Sequence, residues 1–271
     1  MKSSKSWKNR DKKMKDIKIA FFDIDGTLVD MLTKEMSEKT RLALLKLRSK
    51  GIMICIATGR SPMGLPDLKG VTFDAFLTFN GSFCFHEKEK IYSHPISHED
   101  VEVILNNAAE MKRPVSIATS NRLVANGKDR DLIEYYGFAK VKLDVAEDFY
   151  QVAEEEVYQV MMSCRKEEYS RILKNTKNAK IAAWWDRAVD IIPADSGKGT
   201  GIRSVLDYYH LKAENAIAFG DGNNDIEMFE AVGTSVAMGN ASDELKEIAT
   251  DICGCVSEDG IYHYCVEHHL I

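Results

Sequence analysis

The chain has 271 residues, 45% of them apolar and 29% charged, with a formal net charge of −6. That length suffices for one large domain or two smaller ones, each with its own core. The acidic balance argues against nucleic acid as a partner, and no apolar run approaches the roughly 20 residues that span a bilayer, so no membrane role is expected.

Met1 to Lys15 is basic and polar and lacks an apolar signal core, so it reads as a disordered tail. An arm for nucleic acid or anionic lipid is the sharper alternative, and Met14 is an alternative start. The first ordered stretch is Ile17 to Asp23, a short apolar run rich in strand formers that ends on a DGT turn. Ser37 to Lys50 follows as an amphipathic helix, with Leu42, Leu45 and Leu47 among charges and Gly51 just past its end. Ile52 to Thr58 and Asp74 to Gly81 read as two further strands.

The middle, roughly Phe83 to Ala188, has a different texture. Helices are expected at Ser97 to Met111, near Asp129 to Tyr136 and near Lys166 to Asn175, between the strand-like runs VSIAT, RLVAN, VYQVMMS and IAAWW. The early texture then returns. A helix spans Gly199 to His210, a strand Ala216 to Asp221, a helix Asn223 to Ala231, a strand TSVAMG, and a helix Ser242 to Ala249. Strands alternating with helices imply a parallel sheet covered on both faces. The predicted fold class is therefore α/β: a Rossmann-like core with a mostly parallel sheet, plus an inserted α+β domain. Residues 16–83 and 189–271 are assigned to the core and 84–188 to the insert.

Three predicted strand ends carry the polar chemistry. Asp23 and Asp25 follow the first in DIDGT; Thr58, Gly59 and Arg60 follow the second; Gly220 to Asp225, GDGNND, follow the late one. Ligands of open parallel sheets bind beyond the carboxyl ends of the strands. If these strands are neighbours, several carboxylates converge, and like charges at close range raise each other's pKa. A hard divalent cation relieves this, and magnesium favours carboxylate oxygens with a phosphate. Asp23 and Asp221 are the expected ligands, with Asp225, one turn later, as ligand or support. Lys198, between glycines in SGKG, supplies a cation for phosphate oxygens, alongside the Thr58 hydroxyl and the Gly59 amide. This reading yields a metal, a phosphate and a cluster; it leaves open whether Asp23 or Asp221 is a nucleophile.

DIDGT, Thr58 with GR after it, Lys198 in SGKG and GDGNND occur in the order of a known signature set. From Ile17 onwards the chain resembles a haloacid dehalogenase superfamily phosphatase of the Cof-like type with a class IIB cap. The resemblance implies Asp23 as nucleophile and Asp25 as general acid and base. It puts Mg2+ on Asp23, the Asp25 main-chain carbonyl and Asp221. Thr58, Lys198 and Asn224 would hold the phosphoryl oxygens or the nucleophile, and Asn80 and Gly81 would lie near the substrate. It implies hydrolysis of small phosphorylated metabolites such as sugar phosphates, with no obligate protein partner. A phosphomutase or phosphotransferase on the same scaffold is the alternative, and a non-catalytic phosphometabolite binder another.

The insert would act as a cap that selects the substrate. Trp184, Trp185 and Asp186 form a candidate sugar-facing patch, with packing as the alternative for the tryptophans; Arg60 is a candidate for a second anionic group. Six cysteines, mostly inside apolar runs, read as buried reduced thiols and suggest a cytoplasmic address. Cys253 and Cys255, separated by one residue, do not match the ligand spacing of a structural zinc site.

Overall fold

The computed structural model describes residues 16–138, 141–183 and 185–271. The basic tail and Trp184 lie outside the described residues. In chain order the elements begin with β1 (Ile19–Phe22), α1 (Glu38–Ser49), β2 (Met53–Ala57), β3 (Ala75–Thr78), β4 (Phe83–His86) and β5 (Glu89–Ser93). Next come α2 (His98–Glu110), β6 (Val115–Ala118), β7 (Leu123–Ala125), α3 (Arg130–Phe138), α4 (Phe149–Val152), β8 (Gln159–Ser163), α5 (Tyr169–Ile172), β9 (Ala179–Ala182) and β10 (Ala188–Pro193). The last are α6 (Lys198–Tyr208), β11 (Ala216–Gly220), α7 (Ile226–Glu230), β12 (Thr234–Ala237), α8 (Asp243–Ile248), β13 (Asp251–Ile252) and α9 (Gly260–Glu267).

The chain divides into two compact units. The first holds the residues up to Thr58, Pro66–Tyr92 and Gly197–Ile271; the second holds Gly59–Leu65 and Ser93–Ser196. The first unit is built on an eight-stranded sheet in the order β13-β12-β11-β1-β2-β3-β4-β5. From β13 to β3 all neighbours are parallel, and β4 turns antiparallel to β3. All four residues of β1 are fully buried, as a parallel strand covered on both faces requires. Burying side chains such as Phe21, Phe22 and Phe219 contributes roughly 1.5–3 kcal/mol each. Phe22 also stacks on Phe219 of the neighbouring strand at 5.2 Å.

The chain leaves β1 toward β2 and β3 on one side, and places β11 to β13 on the other. The strand order therefore reverses between β1 and β11, where ligands of open α/β sheets bind. Their register is level: Phe22 faces Phe219 on one side and Ile56 on the other. The polar residues that follow each strand consequently emerge at one height.

Helix α1 begins because the Ser37 hydroxyl accepts from the Thr40 amide at 3.0 Å. It ends at Gly51, whose φ of +78° lets Gly51 and Ile52 donate back to Arg48 and Leu47. Its buried face is Thr40, Ala43, Leu44 and Leu47, packed in part on α9; Leu42 and Leu45 are exposed, so the apolar stripe is rotated from the one expected.

The second unit carries an antiparallel sheet, β7-β6-β8-β10-β9. Alternate residues Val115, Ile117, Val160, Met162, Val189 and Ile191 join one apolar cluster with residues of α2, α4 and α5. The intervening positions are more polar and meet α3: Tyr136 Oη pairs with Ser116 Oγ at 2.6 Å, and Tyr135 Oη donates to Asp190 Oδ1 at 2.5 Å.

Both expected junctions move. β4 and β5, placed in the insert by the 83/84 boundary, belong to the core sheet, and the first unit continues to Tyr92. β10, placed in the core by the 188/189 boundary, lies between β8 and β9, and the second unit continues to Ser196. Strand pairing, which a local pattern does not encode, decides both. No described helix is long and apolar enough to cross a membrane.

Candidate active site

Asp23 leaves β1 with its amide donating to Phe219 O at 3.0 Å, so the neighbouring strand sets the start of the DIDGT turn. Gly26 sits in that turn at φ +87°, and a Cβ there would stand 2.1 Å from Asp221 Oδ2. Only glycine admits both the backbone conformation and the approach of that carboxylate. Thr27 Oγ1 donates to Asp221 Oδ1 at 3.2 Å.

The Lys198 ammonium is fully buried and donates to Asp23 Oδ1 and to Asp225 Oδ1, each at 2.6 Å. Asp225 Oδ2 accepts the amides of Asp221 and Gly222 at 2.9 and 3.1 Å. Both Asp225 oxygens therefore already have donors, and the residue fixes the lysine and its own loop. Oxygens of Asp23, Asp221 and Asp225 lie within 4.8 Å of one another, the one acidic, histidine or cysteine group of this kind among the described residues. Burial pushes Asp23 well above the usual carboxylate range, opposed by Lys198 and reinforced by Asp225 and Asp221. Asp221 is pushed up to about 7 by burial and by Asp225. Burial alone would lower Lys198, but Asp225 and Asp23 outweigh it and hold the amine above its ordinary range.

Three close carboxylates with one buried ammonium leave excess negative charge when ionised. The donors are all oxygen, the set that a hard divalent cation prefers. The residues thus fit a divalent metal.

The lysine is seated by backbone packing. A Cβ on Gly81 would meet Gly197 O at 2.5 Å, one on Gly199 would meet Glu227 O at 2.5 Å, and one on Gly201 would meet Gly81 Cα at 2.9 Å. Helix α6 therefore lies directly on the Asn80–Gly81 turn and on α7. That turn is left-handed over Phe79, Asn80 and Gly81, with φ of 51°, 53° and 87°. It presents Asn80 Oδ1 to Asn224 Nδ2 at 3.4 Å, and the Asn80 amide donates to Thr58 O at 3.0 Å. Thr58 is buried at the end of β2.

Asp23, Lys198, Asp221, Asp225, Thr58, Asn80, Gly81 and Asn224 thus all lie in the first unit. Asp25 is half-buried in the DIDGT turn, and its charge helps to raise Asp221. Gly59 and Arg60 group with the second unit, where Arg60 Nη1 donates to Gly64 O at 2.7 Å. Trp185 packs edge-on against Phe138 at 5.2 Å with Arg187 over its ring, while Asp186 is exposed. Four cysteines are buried and two half-buried, and all six are free thiols.

Two contributors went unnoticed in the sequence: Thr27, and Asn240, whose Nδ2 donates to Gly26 O at 2.8 Å and to Asp221 Oδ2 at 3.4 Å. Thr27 lay in view as the last residue of DIDGT. Asn240 lies in the loop after β12 and carries no local signal of its partners.

The family model for haloacid dehalogenase-like hydrolases matches residues 20–265. "Putative phosphatase YkrA" of Bacillus subtilis (strain 168) is 34% identical over 94% of this chain and 99% of its own. The 5-amino-6-(5-phospho-D-ribitylamino)uracil phosphatase YitU of the same organism is 28% identical over 91% and 95%. The solved structure of the HAD subclass IIB sugar phosphatase BT4131 superposes with a TM-score of 0.84 at 28% identity, covering 94% of this chain and 100% of that one. With the fold, the ordered motifs and these relatives in agreement, the chain belongs to the haloacid dehalogenase-like hydrolase family and is a phosphatase of it.

Proposed function

We propose that the protein hydrolyses small phosphomonoesters, sugar phosphates foremost, with magnesium, through an aspartyl-phosphate on Asp23. The observation that carries this is the buried Lys198 ammonium held 2.6 Å from both Asp23 and Asp225, with Asp221 in the same carboxylate cluster. A cation, a metal site and fixed donors around one carboxylate are what phosphoryl transfer requires. The sugar-phosphate class is supported by BT4131, a sugar phosphatase, and by YitU, whose named substrate carries a phosphoribityl group.

In the first step an Asp23 carboxylate oxygen bonds to phosphorus and the ester P–O bond breaks. Asp25 gives its proton to the departing alkoxide. In the second step Asp25, now a carboxylate, takes a proton from water as the water oxygen bonds to phosphorus. The acyl-phosphate P–O bond breaks, phosphate leaves and the Asp23 carboxylate returns. Splitting the displacement in this way replaces one hard step by two easier ones. Lys198 keeps Asp23 oriented and adds positive charge beside the phosphoryl oxygens; the Thr58 hydroxyl and Asn224 contribute donors. Asp23, Asp221 and the Asp25 main-chain carbonyl would hold Mg2+, with Asp225 behind them. The bound metal would offset charge on the phosphoryl oxygens, an effect largest in the transition state.

The test is a hydrolysis screen over metabolite phosphates with and without Mg2+, repeated with Asp23→Asn. Released phosphate that needs both the metal and Asp23 supports the mechanism. Turnover by Asp23→Asn at the parent rate removes Asp23 from it. An isomeric phosphate ester in place of free phosphate would identify a mutase.

A further inference from the structure

Asn240 uses its whole amide. Nδ2 donates to Gly26 O at 2.8 Å and to Asp221 Oδ2 at 3.4 Å, while Oδ1 accepts the Val256 amide at 2.9 Å. A primary amide has two N–H donors, so both donations coexist. Asp221 Oδ1 meanwhile accepts from Thr27 at 3.2 Å. Each oxygen of this carboxylate thus has a neutral donor, and the two donors fix its plane. The same carboxylate rests on Gly26, where a Cβ would stand 2.1 Å from Oδ2. Gly26 O, Asp221 Oδ2 and Asn240 Nδ2 close a triangle between the DIDGT turn and the GDGNND loop.

We infer that Asn240 is a positioning residue for the divalent cation: it locks the Asp221 carboxylate against the Gly26 turn, and the Val256 amide in turn locks Asn240. This rests on Asp221 being a metal ligand, as proposed above. The neutral amide suits the place, because an aspartate there would set a second carboxylate against Asp221 and could not donate to Gly26 O. Removing a partner that orients a metal-ligating carboxylate typically weakens metal binding by about 10- to 100-fold. The exposure of Asn240 and the 3.4 Å length of its contact with Asp221 put the effect at the low end.

The experiment measures Mn2+ affinity of the metal-free full chain, from the spin-resonance signal of free Mn2+, without substrate. Melting in EDTA is followed in parallel. The variants are Asn240→Ala and Val256→Pro. Val256 begins a one-turn 3-10 helix, and Cys255 before it is extended at φ −65°, ψ 158°. A residue preceding proline adopts that conformation, and the first helical position tolerates proline, so this variant deletes one N–H with little backbone cost. Asn240→Ala is expected to bind Mn2+ about tenfold more weakly, and Val256→Pro about threefold. Both should melt in EDTA within about 3 °C of the parent, since a merely structural role would move melting rather than affinity. Folded variants that bind Mn2+ as tightly as the parent overturn the inference. If Asn240→Ala does not fold, an unchanged affinity in Val256→Pro overturns it equally. A parent that binds no Mn2+ defeats the metal reading and this inference together; a parent that binds, with unchanged variants, defeats this inference alone.

Discussion

Asp190 offers a quantitative test of the second unit, because burial is the largest influence on its carboxyl. It lies in the middle of β10, buried, and accepts from Tyr135 Oη at 2.5 Å and from the Gln159 side chain, both neutral donors. Burial pushes its carboxyl from 3.8 up to about 7, despite both hydrogen bonds. The folded state therefore holds this proton more tightly than the unfolded chain. The contribution to stability is full below pH ~4, declines as pH rises, and is lost once pH passes about 7. The change from 3.8 to about 7 corresponds to about 4 kcal/mol between the two limits. Asp190→Asn keeps the shape and the acceptor for Tyr135 but cannot ionise. At pH 4, where little of this contribution has yet been lost, it should match the parent within about 1 kcal/mol, the worth of one imperfect hydrogen bond. At pH 8.5 it should be more stable by up to about 4 kcal/mol. A chain of two units need not unfold in one step. The readout is therefore hydrogen exchange of β8 and β10 amides, corrected for intrinsic rates, at both pH values. Comparing variant with parent cancels every other titrating group. Equal pH dependence of protection in the two proteins would refute the reasoning.

The active-site cluster yields further expectations. Lys198→Met leaves Asp23 and Asp225 buried without their cation, so it should abolish phosphate release and destabilise metal-free protein at neutral pH by about 3–5 kcal/mol, read by thermal melting; a parent-like melt would argue against the pairing. Gly26→Ala places a methyl 2.1 Å from Asp221 Oδ2 at φ +87°, so calorimetry should find Mg2+ binding lost, with about 1–2 kcal/mol of backbone strain. Gly201→Ala would meet Gly81 Cα at 2.9 Å and Leu77 at 3.0 Å, and should cost about 1–3 kcal/mol by overpacking, measured as a lower melting temperature.

The parts of the fold legible in the sequence are those under the strongest local constraint. β1, β2 and β11 are buried on both faces, so they appear as unbroken apolar runs, and the residues after them must be polar because the sheet ends there. The DIDGT turn, Thr58 to Arg60 and the GDGNND loop mark those ends in the sequence itself. What was hidden depends on partners far along the chain. β4 could have belonged to either sheet; its antiparallel register with β3, with Phe85 stacked on Phe76 at 5.2 Å, assigns it. β10 is an apolar run like any core strand, yet it pairs with β8 and β9. Asn240 reaches Gly26 across 214 residues, and Thr27 reaches Asp221 across 194, so neither contact leaves a pattern in its own neighbourhood.

The same distances explain why glycine surrounds the lysine. A buried ammonium must be held by groups already in place, because a mobile chain would have to be ordered each time the charge is used. Side chains between the elements would set Lys198 by rotamer choice. Gly81, Gly199 and Gly201 remove them, so helix α6 rests on neighbouring backbone and little freedom remains. Asp225 then fixes the ammonium from one side while accepting two amides of its own loop. The arrangement is costly without a metal, as the upward shifts of Asp23 and Asp221 show. Under the proposed function that cost is the physical signature of a preorganised site: like charges are kept close by the fold so that a divalent cation and a phosphoryl group would meet an environment needing no rearrangement.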